Sequence, residues 1–241
     1  MTAIQFQLRQ ATHSDLPAIA ALISEGLSFD GLTIVQTAEE LEEDWGGPYC
    51  FLDQDVVVAE HESHIIGVGY TYFLPSETKE ERCYTLGTVK PTFRRKGVGT
   101  ELQQWTTTRA EKLLRSTNRT IPKFLRSDVS TSNTSADFLF KKFNMRPVRW
   151  NEDLIIDLNQ SPEVFVSPGY CVIPWDTSRD EEARVVKNLA FMDHWGSTPT
   201  SEEGWEQLVH GSTAKLDQSF FALDSNNNIV GLLLSHRYES D

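Results

Sequence analysis

The sequence is poor in features that would narrow its function at once. Of 241 residues only three are cysteine: Cys50, Cys83 and Cys171. They are odd in number and far apart, so neither a disulfide framework nor a zinc knuckle fits. No apolar run approaches the ~18 residues that a membrane span requires. The opening MTAIQFQLRQ has no basic stretch ahead of an apolar core, so no signal peptide is expected. Basic residues are scarce as well: 22 Lys and Arg stand against 35 Asp and Glu, a formal net charge of -13. Phosphate backbones call for a broad basic face, which excludes nucleic acid as the main partner and leaves room for a cationic small molecule. The expectation is a globular cytoplasmic protein with neither nucleic acid nor membrane as partner.

What is present is an alternation of strand and helix patterns. QFQLRQ (5–10) reads as a strand, and THSD then caps the apolar-periodic helix LPAIAALISEGL. An acidic helix is predicted over 37–45. Strands are predicted at 56–60 and 65–74 around the polar turn HESH, with a third at 83–89. Val98, Leu102, Trp105, Arg109 and Leu113 recur at helical spacing and predict a core-facing stripe. A strand at 123–130, a short helix at 135–143 and a closing strand at 148–158 complete an α/β mixture of the α+β mixed-sheet kind.

Residues 161–169 lie in SPEVFVSPGY, whose prolines and glycine mark a linker between units at 1–160 and 170–241. The second unit repeats the first. TAEELEE at 37 returns as TSEEGWE at 200, Ala59 with Ile66-Gly67 as Ala222 with Val230-Gly231, and the strand near Phe6 as that near Tyr170. All three echoes lie 163 or 164 residues apart. A complete second copy would carry the chain past Asp241, so an incomplete copy is expected: either a fragment of a longer protein or a half-unit that docks on something.

One segment departs from the acidic background. VKPTFRRKGVGTELQQW (89–105) holds Lys90, Arg94, Arg95 and Lys96, then two glycines, then a helical pattern. A helix start has unpaired amides and partial positive charge, and glycine lets a ligand approach the backbone. Strand, glycine turn and helix together suit a phosphate. No Walker loop is present, and the GxG lacks the third glycine of a dinucleotide fingerprint. Taken alone, such a turn is more often a plain helix start than a ligand site.

The fuller pattern of Val89, Pro91, Phe93, Arg94-x-x-Gly97-x-Gly99 and a long helix resembles motif A of the GNAT superfamily of acyl-CoA-dependent N-acyltransferases. The resemblance extends over about residues 5–158. It implies the GNAT fold, with acetyl-CoA or CoA as co-substrate and no metal. It implies that the amides of Arg95, Lys96, Gly97, Val98, Gly99 and Thr100 hold the CoA pyrophosphate beside Arg94. Val89 would lie along the pantetheine, and Asn133 on its side. The repeated layout is similar to tandem GNAT proteins of the mycothiol synthase type.

The proton path departs from the family pattern. An attacking amine must lose a proton, yet CYTLGTV carries no carboxylate where members usually have one, and Glu80 and Glu81 lie just upstream. NTSADFLFKKFNM (133–145) matches NxxAxxxYxxxGF at Asn133 and Ala136, but Phe140 replaces the tyrosine. Tyr84 and Asp128 are the remaining catalytic candidates. Two functions stay open: acetyl transfer to a primary amine of a small molecule, or a CoA-binding sensor or scaffold without catalysis. A homodimer fits either. His61 and His64 read as surface turn residues, and Asp193-His194-Trp195 as a helix end or a substrate contact. The acidic run from Glu39 to Asp44 reads as a solvated helix face or, by the resemblance, as a border of the acceptor cleft.

Overall fold

Val56 to Ala59 are buried on both faces, which makes this segment an interior strand of a sheet covered on two sides. The computed structural model describes residues 4–152, 154, 156, 159, 163 and 165–237. The first unit runs β1 (Gln7–Gln10), α1 (Leu16–Phe29), α2 (Ala38–Asp44), the short α3 (Leu52–Asp55), β2 (Val56–His61), β3 (His64–Leu74), β4 (Glu81–Val89), α4 (Val98–Ser116), β5 (Lys123–Arg126) and α5 (Thr134–Lys142). Its sheet has the order β1-β2-β3-β4-β5, antiparallel except for the parallel pair β4–β5.

The two faces of the sheet are dressed differently. Leu16, Ile19 and Leu22 of α1 and Leu41 of α2 pack on Val56, Val58 and Val68. On the other face Val98 and Leu102 of α4 cover Val57, Ala59 and Ile66, while Ala110 and Leu114 cover Cys83. The α4 stripe is therefore Val98, Leu102, Thr106, Ala110 and Leu114. Trp105 and Leu113 flank it, and Arg109 instead pairs with Asp55 at 2.7 Å.

Two strand expectations are corrected. β5 ends at Arg126, so 127–130 is loop. Residues 148–152, 154 and 156 form no strand, and the rest of 148–158 lies outside the described residues. Val148, Trp150, Leu154 and Ile156 keep the apolar alternation but stand exposed. An alternating pattern yields a strand only where a sheet edge accepts it.

The second unit holds β6 (Cys171–Pro174), α6 (Asp180–Ala190), α7 (Glu202–His210), β7 (Phe220–Leu223) and β8 (Ile229–Leu233), with β6-β7-β8 as a separate antiparallel sheet. Its pairings mirror those of the first. Leu8 pairs with Ala59 and Ala59 with Gly67; Val172 pairs with Ala222 and Ala222 with Gly231. The register slips directly after Ala59 and directly after Ala222. Thr37 caps α2 and Ser201 caps α7, so the helix start corresponds to Ser201 rather than to the Thr200 of the sequence echo.

The units touch along α2 and α7. Glu43 accepts from the Ser212 amide at 2.9 Å and its hydroxyl at 3.0 Å, and Gln207 donates to the Glu43 carbonyl at 3.1 Å. A Cβ on Gly204 would lie 2.0 Å from the Tyr49 hydroxyl, so any larger residue would displace the Tyr49 ring from this approach.

Candidate active site

Between β4 and α4 the chain makes a turn whose backbone is aimed by two left-handed residues, Arg95 (φ 63) and Gly97 (φ 96). Gly97 is the N-cap of α4. A side chain there would meet no atom within 4 Å, so the helix start opens onto free space. The amides of Val98 and Gly99 precede the first helical bond and have no acceptor in the helix. With the positive end of the helix dipole they form a small anion cradle. Thr100, expected among the donors, instead bonds the Gly97 carbonyl at 2.9 Å. Val98 buries its side chain beneath the sheet and offers only its amide. Arg95 and Lys96 are exposed beside the cradle, 5.2 Å from the Phe138 ring and 4.8 Å from the Phe93 ring. Neither has an ion-pair partner among the described residues.

Arg94 is employed otherwise. Its guanidinium holds Asp30 by bonds of 2.6 and 3.0 Å, and its Nε donates to the Val89 carbonyl at 3.1 Å. Asp30 also accepts from Asn133 Nδ2 at 2.8 Å, and Asn133 Oδ1 caps α5 through the Ala136 amide at 3.0 Å. This clamp joins the end of α1, the glycine turn and the start of α5. The side-chain polar groups of Arg94 and Asn133, expected against CoA, are occupied within the protein.

β4 connects the cradle to a second feature. Val89 lies beside the helix start, 3.7 Å from where a Cβ on Gly99 would be. β5 follows β4 only as far as Tyr84 opposite Arg126, while β4 continues to Val89. From Leu86 onward that edge has no strand neighbour among the described residues. Five residues of strand place Tyr84 about 17 Å from Val89.

At Tyr84 the splay meets a cavity of about 670 Å³ that Arg126 also lines. α2 contributes Glu40, Glu43 and Asp44, and the second unit closes the cavity with Lys187, His194 to Thr200 and Gln207. Asp44 lines the cavity and is exposed. Partial desolvation by the surrounding protein, reinforced by the charges of Glu40 and Glu43, pushes its carboxyl up to about 6. Burial, aided by the charge of Asp44, holds the Tyr72 phenol well above its ordinary range, so it remains protonated. Burial likewise depresses the Lys187 ammonium below its usual value.

The other sequence candidates are placed as follows. Asp128 is exposed beyond β5 and does not line the cavity, so it is not brought to Tyr84. Glu81 lies within β4, but its fully buried side chain is turned to the α4 face. Burial favours its neutral form, yet hydrogen bonds from Thr117, Arg119 and Lys123 outweigh that and hold the carboxyl below its usual range. His61 and His64 place their Nδ1 atoms against backbone carbonyls, at 2.6 and 2.7 Å. His194 and Trp195 line the cavity. Sequence reasoning missed Asp44 as an individual group, although the acidic run of α2 was its signal.

Residues 25–145, half of the chain, match the model of the acetyltransferase (GNAT) family. The chain belongs to that family of acyltransferases. A GCN5-related N-acetyltransferase from Sphaerobacter thermophilus shares the fold, with a TM-score of 0.70 and 24% identity over 96% of this chain and 72% of that one. Weaker likeness extends to glucosamine-6-phosphate N-acetyltransferase from Arabidopsis thaliana (TM-score 0.46, 18% identity, 64% and 99% covered). It extends also to an aminoglycoside acetyltransferase from an uncultured soil metagenomic sample (TM-score 0.44, 17% identity, 63% and 97% covered). No curated protein matches the sequence.

Proposed function

We propose that this protein transfers the acetyl group of acetyl-CoA to a primary amine of a small molecule held in the cavity between the units. The observation that carries the reading is the continuity of the β4 edge. An open anion cradle of backbone amides lies at one end, a polar cavity at the other, and an unpaired strand edge between them. The pyrophosphate of the substrate suits the Val98 and Gly99 amides, with Arg95 and Lys96 adding charge. A thioester chain along Leu86 to Val89 would then present its carbonyl towards Tyr84.

In the transfer the amine nitrogen forms a bond to the acetyl carbon and the carbon–sulfur bond breaks. The ammonium proton must leave first, and the Asp44 carboxylate is the acceptor the cavity offers. Tyr84 is the hydroxyl nearest the splay and is assigned the return of a proton to the departing thiolate.

We further propose that the two units arose by tandem duplication, in the manner of tandem GNAT proteins. Support comes from the matched pairings and matched register slips. Three free cysteines suit the cytoplasm, where thiols stay reduced and acyl-CoA is available. A second reading, CoA binding without catalysis, is favoured by Phe140, which cannot donate a proton.

Calorimetric titration with CoA tests the cradle: no heat at millimolar ligand overturns it. Thiol release over a panel of amines separates the readings. Turnover with any amine removes the non-catalytic one, and binding without turnover removes the catalytic one.

A further inference from the structure

The walls of the cavity carry opposite charges. On the α2 side stand Glu40, Glu43 and Asp44, of which Asp44 has no hydrogen-bond or ion-pair partner among the described residues. On the side of β4 and β5 stand Arg82, Arg126 and Arg149. Their charge is not matched by the protein. Glu80 alone faces Arg126 at 2.6 Å and Arg82 at 3.8 Å, and Arg149 has no carboxylate partner among the described residues.

Hydrogen-bonding capacity is also left over. The Arg82 side chain is only 9% exposed. Its Nη2 donates to the Thr198 hydroxyl at 2.9 Å, but its Nε is buried without a hydrogen-bond acceptor. The Nη1 atoms of Arg82 and Arg126 lack acceptors among the described residues. Both converge on Gly196, where a Cβ would lie 3.5 Å from one and 2.8 Å from the other. Gly196 sits at φ 68, a conformation that glycine adopts without strain. The Trp195 ring carries the guanidiniums of Arg126 at 4.5 Å and Arg149 at 4.8 Å. A desolvated guanidinium with unused donors costs free energy unless an anion completes it.

The geometry points to an oxyanion subsite formed by Arg82, Arg126 and Arg149, so that the acceptor is a small amine that also carries a carboxylate or phosphate. This rests on the acetyl-transfer reading. The amine end lies towards Asp44, and the anionic end is held by the forked guanidinium donors.

Matched amines that differ only in the anion provide the test. Ornithine against putrescine and lysine against cadaverine probe the carboxylate; phosphoethanolamine against ethanolamine probes the phosphate. The anionic member of at least one pair should be acetylated with the higher kcat/KM. Arg149→Gln and the charge-preserving Arg126→Lys should each shrink that preference by about 10- to 100-fold, the effect of losing a charged hydrogen bond. A purely architectural role for these arginines would slow both members of a pair alike. Equal kcat/KM within every pair, or a preference that survives both substitutions, overturns the subsite. Thermal shift by the same anionic amines without acetyl-CoA separates the two ideas. Stabilisation that Arg149→Gln abolishes, in a protein that acetylates nothing, supports the subsite and removes acetyl transfer. Acetylation of the neutral amines alone keeps acetyl transfer and removes the subsite.

Discussion

Replacing Asp30 with asparagine should unseat the glycine turn from a distance, without touching the cradle. In Asp30→Asn the Arg94 guanidinium loses a carboxylate that now accepts two of its bonds at 2.6 and 3.0 Å, and a third at 2.8 Å from Asn133. Both side chains of the ion pair are only 15% exposed. Removing one partner of a buried pair costs about 3–5 kcal/mol, because the other charge stays buried and uncompensated. The residual exposure, and the oxygen that asparagine keeps, favour the lower end, about 3 kcal/mol. For a chain of this size that lowers Tm by about 6–12 °C. Differential scanning calorimetry measures the shift and CoA titration follows the cradle. Arg94→Gln should melt similarly, and the double variant should lose less than the sum of the two, since both substitutions break one interaction. A Tm for Asp30→Asn within about 2 °C of the parent, less than 1 kcal/mol by the same scaling, would refute the clamp. So would an Arg94→Gln protein that melts normally yet loses CoA, since Arg94 would then contact the ligand directly.

Further expectations follow from the same geometry. Gly97→Glu should abolish CoA binding by setting a carboxylate at the cradle, and Tm should fall by about 2–8 °C because a side chain at φ 96 strains the backbone even though it meets no neighbour; a folded variant that binds at parental affinity would place the site elsewhere. Asp44 has a folded-state carboxyl at about 6, above its unfolded value of 3.8, so its ionisation opposes folding progressively from pH 4 to 6 and fully above 6. Asp44→Asn should therefore raise Tm at pH 8 and not at pH 4, and should flatten the rise in acetylation rate through pH 6; equal Tm changes at both pH values would contradict this. Thiol labelling of the native protein should modify Cys171 quickly and spare Cys50 and Cys83, which are fully buried; burial pushes the Cys83 thiol up to about 12 and that of Cys50 further. Rapid labelling of all three would mean that the sheet is not packed against its helices as described. Trp195→Ala should raise the acceptor KM by removing the ring beneath Arg126 and Arg149, with CoA affinity unchanged; a parallel loss of CoA affinity would tie the two regions together.

Local pattern carried much of the fold. β2, β3 and the start of α4 were legible because apolar alternation and the Gly97 break are properties of short windows. The stripe on α4 was displaced by one residue in its later turns. Trp105 and Leu113 are more apolar than Thr106, but the sheet decides which side of the helix is covered, and Thr106 is buried beneath it. Segment 148–152 misled for a related reason: alternation describes what a strand needs, not whether a partner edge exists. The strand echoes fall on segments that pair alike in the two sheets, and the helix-start echo is off by one at Thr200 because Ser201 takes the capping role.

The site divides along the same line. The turn at the start of α4 depends on backbone conformation within a few residues, so Gly97 and Gly99 mark it in the sequence. Arg94 belongs to the same motif, yet its use is decided by Asp30, 64 residues away, and nothing in the local sequence reports that pairing. The cavity is further removed still. Its walls come from α2, β3, β4, β5 and the second unit, each segment ordinary by itself, and only the docking of α7 on α2 assembles them. The first unit alone supplies the cradle, whereas the cavity takes Lys187, Trp195 and Thr198 from the second. What the second unit adds is part of the cavity wall, including Thr198, whose hydroxyl accepts from the buried Arg82 guanidinium. The cavity therefore draws its lining from both units and from residues outside motif A.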